Sequence, residues 1–393
     1  MLMYVKPERM TMEYRILGRT GIKVSAIALG CEGFMHKTQA DVVREIGHAV
    51  DCGINFIDIY SPNPDLRRNI GCSIKDIRDR FVIQGHLSTV WENGQYLRTR
   101  DTAKILPAFE KQLQELGTGY LDVGMIHYVD AEDDFRKVFD GDIIRIALRL
   151  KEEGRIRHIG MSSHNPVVAR KAVESGLIDV LMFSINPVYD LQPPSENVDD
   201  LFDDATFAHS RHNIDPERQR LYEICEREGV AIDVMKVYGG GDLLSPHRSP
   251  FGKAMTPVQA IEYALTRPAV ASVMVGAHDV SEIDSALEWC TATDDSRDYT
   301  AILQGLDRFT WEGHCMYCGH CAPCTAGIDI ASVNKFYNLT EAQGEIPETV
   351  REHYRALKHH ASECLACGAC EKRCPFGVGI VDGMRQAAVR FGF

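Results

Sequence analysis

Eight short apolar runs spread over the first three hundred residues constrain this chain more than any other feature. "SAIALG", "NFIDIY", "RFVIQGH", "LDVGMIH", "HIGMSS", "VLMFSIN", "AIDVMKVYG" and "ASVMVGA" are β-rich and of strand length. Longer stretches with helical spacing separate them, among them "LPAFEKQLQELG", "DIIRIALRLKEEG" and "ERQRLYEICEREG", each closing on a glycine suited to a C-cap. Eight β-then-α units predict an α/β fold of the (β/α)8 barrel type, with its site at the C-terminal ends of the strands. The opening "YRILGRTGIKVS" puts a turn at Gly18 to Gly21 between two short strands, so a β-hairpin is expected before the first barrel strand.

A barrel takes about 250 residues, and the chain has 393. A second, smaller module is therefore expected: the barrel over residues 13–295 and the module over 305–393. The formal net charge of −13 argues against nucleic acid as a partner, because phosphate binding wants a basic face. No run resembles a membrane span. The start, "MLMYVKPERMTMEY", is interrupted by Lys6, Glu8 and Arg9 and does not read as a signal peptide, so a cytoplasmic protein is expected.

In that compartment clustered cysteines are more often metal ligands than disulfides. Eight of the 13 cysteines fall after residue 314. "CMYCGHCAPC" spaces Cys315, Cys318, Cys321 and Cys324 as C-x2-C-x2-C-x2-C, and "CLACGACEKRCP" spaces Cys364, Cys367, Cys370 and Cys374 as C-x2-C-x2-C-x3-C-P. Three thiolates at this spacing wrap one face of a cubane cluster, and the fourth cysteine completes the other cluster in two-cluster ferredoxins. Cys315, Cys318, Cys321 and Cys374 are accordingly assigned to one [4Fe–4S] cluster, and Cys364, Cys367, Cys370 and Cys324 to the other. Zinc would call for paired cysteines across a spacer rather than triplets with a distant fourth. The segment between the runs reads as two helices with a turn at Gly344 to Pro347. The remaining Cys31, Cys52, Cys72, Cys225 and Cys290 are expected to pack as buried hydrophobes. Clusters add negative charge to an acidic chain, so a docking partner should present a basic face.

"YRILGRTGIKVSAIALG", "GINFIDIY", "LGTGYLDVGMIH", "EEGRIRHIGMSSH" and "MKVYGGGDLL" resemble the aldo/keto reductases. With the cysteine tail, the chain from about residue 13 onward resembles the branch of that family carrying a C-terminal two-cluster ferredoxin-like module. The resemblance implies an oxidoreductase with an Asp, Tyr, Lys, His tetrad. Asp58 and His127 match the Asp and the His. Asn63 stands at the Tyr position and His86 at the Lys position, while Tyr60 lies two residues after Asp58 on the same side of the strand. An Asp58–His86 pair could replace the missing donor and its activator, the carboxylate orienting the ring as general acid; the alternative is a satisfied polar core.

The same resemblance places Ser162, Ser163 and Met182 where the family holds a nicotinamide carboxamide with Ser, Asn and Gln. Lys236, Gly239 and Gly240 at the end of the seventh strand, and Gly276 at the end of the eighth, fall where a dinucleotide would lie. "PDLRRNI" and "WENGQYLRTR" put Arg67, Arg68, Arg98 and Arg100 in loops after the second and third strands, which points to an anionic small-molecule substrate or a solvated rim. The long polar segment from Asp190 to Arg218 could be a lid or a surface insertion.

Clusters pass electrons singly and nicotinamide passes a hydride, so coupling the two calls for a flavin. Three readings stay open: a reductase fed through the clusters by an external ferredoxin or flavoprotein, a barrel that binds NAD(P)H or flavin and uses the clusters to reach a partner, and an electron carrier without catalysis.

Overall fold

The computed structural model describes residues 11–197, 214–299, 321–343, 354–374 and 377–393, together with 302, 315, 346 and 351. The chain divides into two compact units, Met1–Val198 with Ser210–Asp307 and Asp199–His209 with Arg308–Phe393.

The first unit opens with strands β1 (Tyr14–Ile16) and β2 (Lys23–Ser25), paired antiparallel as the expected hairpin. The eight expected runs follow as β3 (Ile27–Gly30), β4 (Phe56–Ile59), β5 (Val82–Leu87), β8 (Leu121–Ile126), β9 (Ile156–Ser163), β10 (Val180–Ser184), β11 (Ala231–Met235) and β12 (Val270–Gly276). They pair in parallel and close into one barrel when β12 joins β3. β5 and β8 are buried at every residue, which is why these runs read as continuous apolar stretches rather than alternating ones. The hairpin plugs the N-terminal end: Leu17 and Val24 pack with Ala28, Phe56, Val180 and Ala231, and Arg19 N–H bonds to the Gly229 carbonyl. The opposite end stays available for a site.

Two strands not anticipated, β6 (Thr89–Glu92) and β7 (Gln95–Arg98), form an antiparallel hairpin directly after β5. Its two-residue turn is Asn93–Gly94, both at positive φ (52° and 77°), the conformation that Asn-Gly adopts in a type I′ turn.

Local chemistry sets the helix boundaries. The helix Pro64–Ile74 starts on Asn63, whose side chain accepts from Leu66 N–H, with Pro64 at the first helical position. Thr102–Leu116 and Pro216–Glu228 end on the left-handed glycines Gly117 and Gly229, as expected. Of the scattered cysteines Cys31 and Cys225 are buried, but Cys72 is exposed and Cys52 and Cys290 are half-buried, so packing does not account for all five.

The second unit is built on helices Ile330–Gln343 and Ile380–Phe391. Its core holds Val333, Tyr354, Met384, Ala387 and Phe391, with the Tyr354 and Phe391 rings stacked at 3.8 Å. The second expected helix between the cysteine runs falls largely outside the described residues, as does most of the segment considered as a lid. Among the described residues no helix is long and apolar enough to cross a membrane.

Candidate functional site

Side chains at alternate positions of a barrel strand enter the lumen together. On β5 these are Gln84 and His86; on β4 Asp58 is the register partner of Gln84. Asp58 Oδ1 accepts from His86 Nε2 and from Gln84 Nε2, each at 2.9 Å. The Gln84 amide also donates to Asp233 Oδ2 on β11, at 2.7 Å. Burial, with Asp58 nearby, pushes the Asp233 carboxyl well above the usual carboxylate range.

Past the end of β8 stands His127. Its Nδ1 lies 2.7 Å from His86 Nδ1, and its Nε2 lies 2.7 Å from the Tyr96 hydroxyl on β7. Arg100 anchors this stretch of backbone, donating through Nη2 to the carbonyls of His127 (2.9 Å) and Tyr128 (2.7 Å) and bonding Asp134. Burial lowers the basicity of His127 well below the ordinary imidazole range, helped by His86 and by the nearby guanidiniums of Arg100 and Arg98. His127 is therefore a neutral ring with one N–H and one lone pair. Asp58, His86, His127 and Tyr96 form an unbroken line of hydrogen bonds.

Tyr60 lies beside this line, its ring stacked on His127 at 5.9 Å. Its hydroxyl donates to Glu32 Oε1 at 2.6 Å, and burial followed by the Glu32 charge pushes the phenol well above its usual range. Glu32 is held there by the short helix Cys31–Phe34, where a Cβ on Gly33 would lie 2.1 Å from the Ala277 carbonyl oxygen. Asn63 does not substitute for a catalytic tyrosine, because its side chain is spent on capping the helix after β4.

The arginines also differ from expectation. Arg67 and Arg68 lie on the helix Pro64–Ile74 rather than in a loop. Arg67 is 2% exposed, donates to the Ser61 carbonyl and faces Glu115, and burial lowers its basicity to about 10; it is a structural residue rather than an open anion ligand. Arg68 is exposed and paired with Asp65. Arg98 remains at the rim, stacked over Tyr128 and bonded to its carbonyl at 2.8 Å.

The positions expected around a dinucleotide are mostly committed elsewhere. Ser163 Oγ donates to Asp130 at 2.8 Å, Ser162 Oγ accepts from Tyr128 N–H at 2.8 Å, and Met182 offers no donor. In the Gly239–Leu244 segment the N–H groups of Gly239, Gly241 and Leu243 close internal turns on Lys236 and Tyr238, Gly240 sits exposed at φ 73°, and Asp242 is buried among them. Lys236 is exposed, in a left-handed conformation at the end of β11. Gly276 ends β12 with open space where a Cβ would project; in the helix that follows, Val280–Leu287, the Glu282 N–H is taken by Asp279, and the Glu282 carboxylate accepts from His278 N–H just ahead of the helix. Ser163 and the Gly239–Leu244 backbone are thus committed to internal bonds, while Lys236, Gly240 and Gly276 are exposed.

In the second unit one cavity is lined by Cys324, Cys364, Cys367 and Cys370. Cys324 belongs to the first cysteine run and the other three to the second. Polar hydrogens already face these sulfurs: Ala366 N–H lies 3.4 Å from Cys364 Sγ, and Thr325 Oγ1 lies 3.6 Å from Cys367 Sγ. Arg373 ties the runs together by donating to the carbonyls of Cys321 and Pro323. The helix after each run begins six residues beyond its last cysteine, at Ile330 after Cys324 and at Ile380 after Cys374. Cys315, Cys321 and Cys374 are described; Cys318 lies outside the described residues.

Known proteins bear on the barrel. The chain is similar to an uncharacterized oxidoreductase, YqkF, of Bacillus subtilis, at 26% identity over 72% of this chain and 92% of that protein. It is similar to the aldo-keto reductase YhdN of the same organism at 22% identity, over 75% of this chain and 94% of the other. Among solved structures, the aldo-keto reductase AKR11C1 of Bacillus halodurans superposes with a TM-score of 0.59 at 20% identity, over 76% of this chain and 98% of that one. Residues 26–304 match the aldo/keto reductase family, leaving the cysteine-rich end beyond the match. With more than half of its length matched, the chain belongs to the aldo/keto reductase family.

Proposed function

We propose that the chain is an iron–sulfur oxidoreductase that reduces or oxidises a small molecule in its barrel, using electrons exchanged with an external ferredoxin or flavoprotein. One observation carries the reading: Cys324 shares a cavity with Cys364, Cys367 and Cys370, the crossed ligand set that a two-cluster ferredoxin module requires. Cys315, Cys318, Cys321 and Cys374 would hold the second [4Fe–4S] cluster. When bound, the clusters supply one-electron transfer, with N–H and O–H groups such as those of Ala366 and Thr325 tuning the sulfurs.

In the barrel the chain's own residues do the acid–base work. Asp58 orients His86 through Nε2, His86 orients His127, and Gln84 keeps Asp58 fixed in the lumen. Ser163 and the Gly239–Leu244 N–H groups already hold internal partners, which speaks against a hydride from nicotinamide as the reductant. Arg98 and Arg100 share the single carboxylate of Asp134, and the positive charge left over at the rim favours a substrate with an anionic group.

The test is the anaerobically purified full chain. It should contain about eight irons and eight acid-labile sulfides, the content of two cubanes, and should oxidise dithionite-reduced methyl viologen in the presence of a substrate while ignoring NADH and NADPH. Stoichiometric zinc with little iron would overturn the cluster assignment. Vigorous NAD(P)H-dependent carbonyl reduction would return the barrel to ordinary family chemistry, and a flavin found by mass after extraction would favour a flavin-linked barrel. Reversible cluster reduction with no substrate turnover would favour the electron carrier.

A further inference from the structure

We infer that Tyr96, on the hairpin outside the barrel, is the group that exchanges the proton with the substrate, and that His127 relays that proton between Tyr96 and His86, whose ring Asp58 holds in place. The inference rests on the reading above, that the barrel mouth is where the reaction occurs.

The geometry leaves Tyr96 as the outer end of the line. His86 is 2% exposed and both its ring nitrogens are engaged, one by Asp58 and one by His127. His127 likewise uses both nitrogens, on His86 and on Tyr96. The Tyr60 hydroxyl is bound to the Glu32 carboxylate. Tyr96, at 38% exposed, is the most exposed member of the line, and burial pushes its phenol up to about 12, so it holds its proton until an acceptor takes it. Its hairpin is pinned at both ends, by the Lys104–Glu92 pair at 2.7 Å and by Arg98 on the Tyr128 carbonyl at 2.8 Å.

The protons balance without moving a heavy atom. In the charged state His86 is an imidazolium. Its Nε2–H stays on Asp58 and its Nδ1–H points to His127 Nδ1, while His127 Nε2–H points to the Tyr96 oxygen, so the Tyr96 O–H faces outward. When a substrate oxygen takes the Tyr96 proton, the His127 Nε2 proton moves to the Tyr96 oxygen. The His86 Nδ1 proton then moves to His127 Nδ1. The line ends with neutral His86 still donating to Asp58, His127 donating to His86, and Tyr96 donating to His127. In net, one N–H bond has broken at His86 and one O–H bond has formed on the substrate; a proton from solvent resets the line. Reducing a carbonyl takes two electrons, here from the external one-electron donor, and two protons, which the line delivers in successive passes. A neutral His127, the state its burial enforces, is what this sequence requires.

The experiment uses the full chain with its clusters, methyl viologen reduced by dithionite as donor and methylglyoxal as carbonyl probe. Tyr96→Phe keeps both ring contacts, to Tyr60 and His127, and removes only the hydroxyl. Turnover should fall about 10²–10³-fold in kcat with little change in KM, whereas Tyr60→Phe should lower it less than about tenfold. In parallel, ¹⁵N spectra of histidine-labelled protein without substrate should show the His127 and His86 ring nitrogens shifting together in Tyr96→Phe and in Asp58→Asn. Unchanged turnover in Tyr96→Phe overturns the proposal. If neither parent nor variants reduce the probe, the functional reading fails on its own and the spectra decide the relay: coupled shifts support it, and histidine signals indifferent to Tyr96 overturn it.

Discussion

Behind the site lies a buried charge whose removal has a calculable effect. Asp190 and Arg218 are both 0% exposed and stand 3.8 Å apart. Tyr222 and Tyr263 donate their hydroxyls to the Asp190 carboxylate, the second at 2.8 Å, and Arg218 donates to the carbonyls of Ser184 (3.1 Å) and His164 (3.4 Å). The Coulomb attraction at that separation is about 4 kcal/mol for an effective dielectric near 20. Asp190→Asn preserves the shape and an acceptor for the tyrosines but leaves the guanidinium buried without its counter-charge, which costs about 3–5 kcal/mol. A unit of roughly 300 residues unfolds with about 0.6 kcal/mol per degree of entropy, so Tm should fall by about 5–8 °C. The assay is scanning calorimetry of the anaerobic protein at fixed concentration, following the barrel transition. The double variant Asp190→Leu with Arg218→Met, which removes both charges, should recover at least half of the loss. A Tm for Asp190→Asn within about one degree of the parent, or a double variant less stable than the single one, would refute the reasoning.

Two further outcomes are expected. Cys324→Ser should damage the cluster on Cys364, Cys367 and Cys370, and Cys374→Ser the one on Cys315, Cys318 and Cys321, each lowering iron toward about four per chain; electron paramagnetic resonance should show different signals lost, and loss of the same signal in both variants would sink the crossed assignment. Burial pushes Asp242 up to about 7 against the opposing pull of Arg248 at 3.3 Å. A carboxyl raised in the fold holds its proton there after the unfolded chain has released its own, so its contribution is full at low pH and is lost as pH climbs through about 7. Asp242→Asn should therefore gain Tm over the parent progressively between about pH 4 and 7 and hold that gain at higher pH, and a gain independent of pH would contradict that.

The barrel was legible because eight strands buried on both faces leave eight unbroken apolar runs, and no competing architecture spaces them so regularly. The hairpin carrying Tyr96 is equally legible. Its Asn93–Gly94 turn is among the strongest short-range signals for two paired strands. Asn63 followed by Pro64 is likewise a helix start in plain sight, although its alignment with a family tyrosine drew it into the site instead. Arg67 shares a face with Ile70 and Ile74 at helical spacing, which already points its side chain inward, away from any substrate. What the sequence could not supply was the join between His86 and His127. Those rings are 41 residues apart and meet because the C-terminal ends of adjacent strands converge on one lumen.

That join explains why two departures from the family pattern make sense together. A tyrosine in the loop after β4 would reach the lumen directly, next to Asp58, and a lysine at the end of β5 would supply its charge. Here the loop position is consumed by a helix cap, so a donor must come from another element. A histidine in place of the lysine accepts and donates at opposite ends of its ring, which a lysine cannot do, because an ammonium only donates. Two imidazoles in series therefore extend the reach of Asp58 by two hydrogen bonds, far enough to meet a hydroxyl presented by the rim hairpin. The hairpin itself exists because Asn93 and Gly94 tolerate left-handed backbone. Replacing Gly94 by a β-branched residue should unseat the donor while Asp58, His86 and the strands that carry them stay where they are.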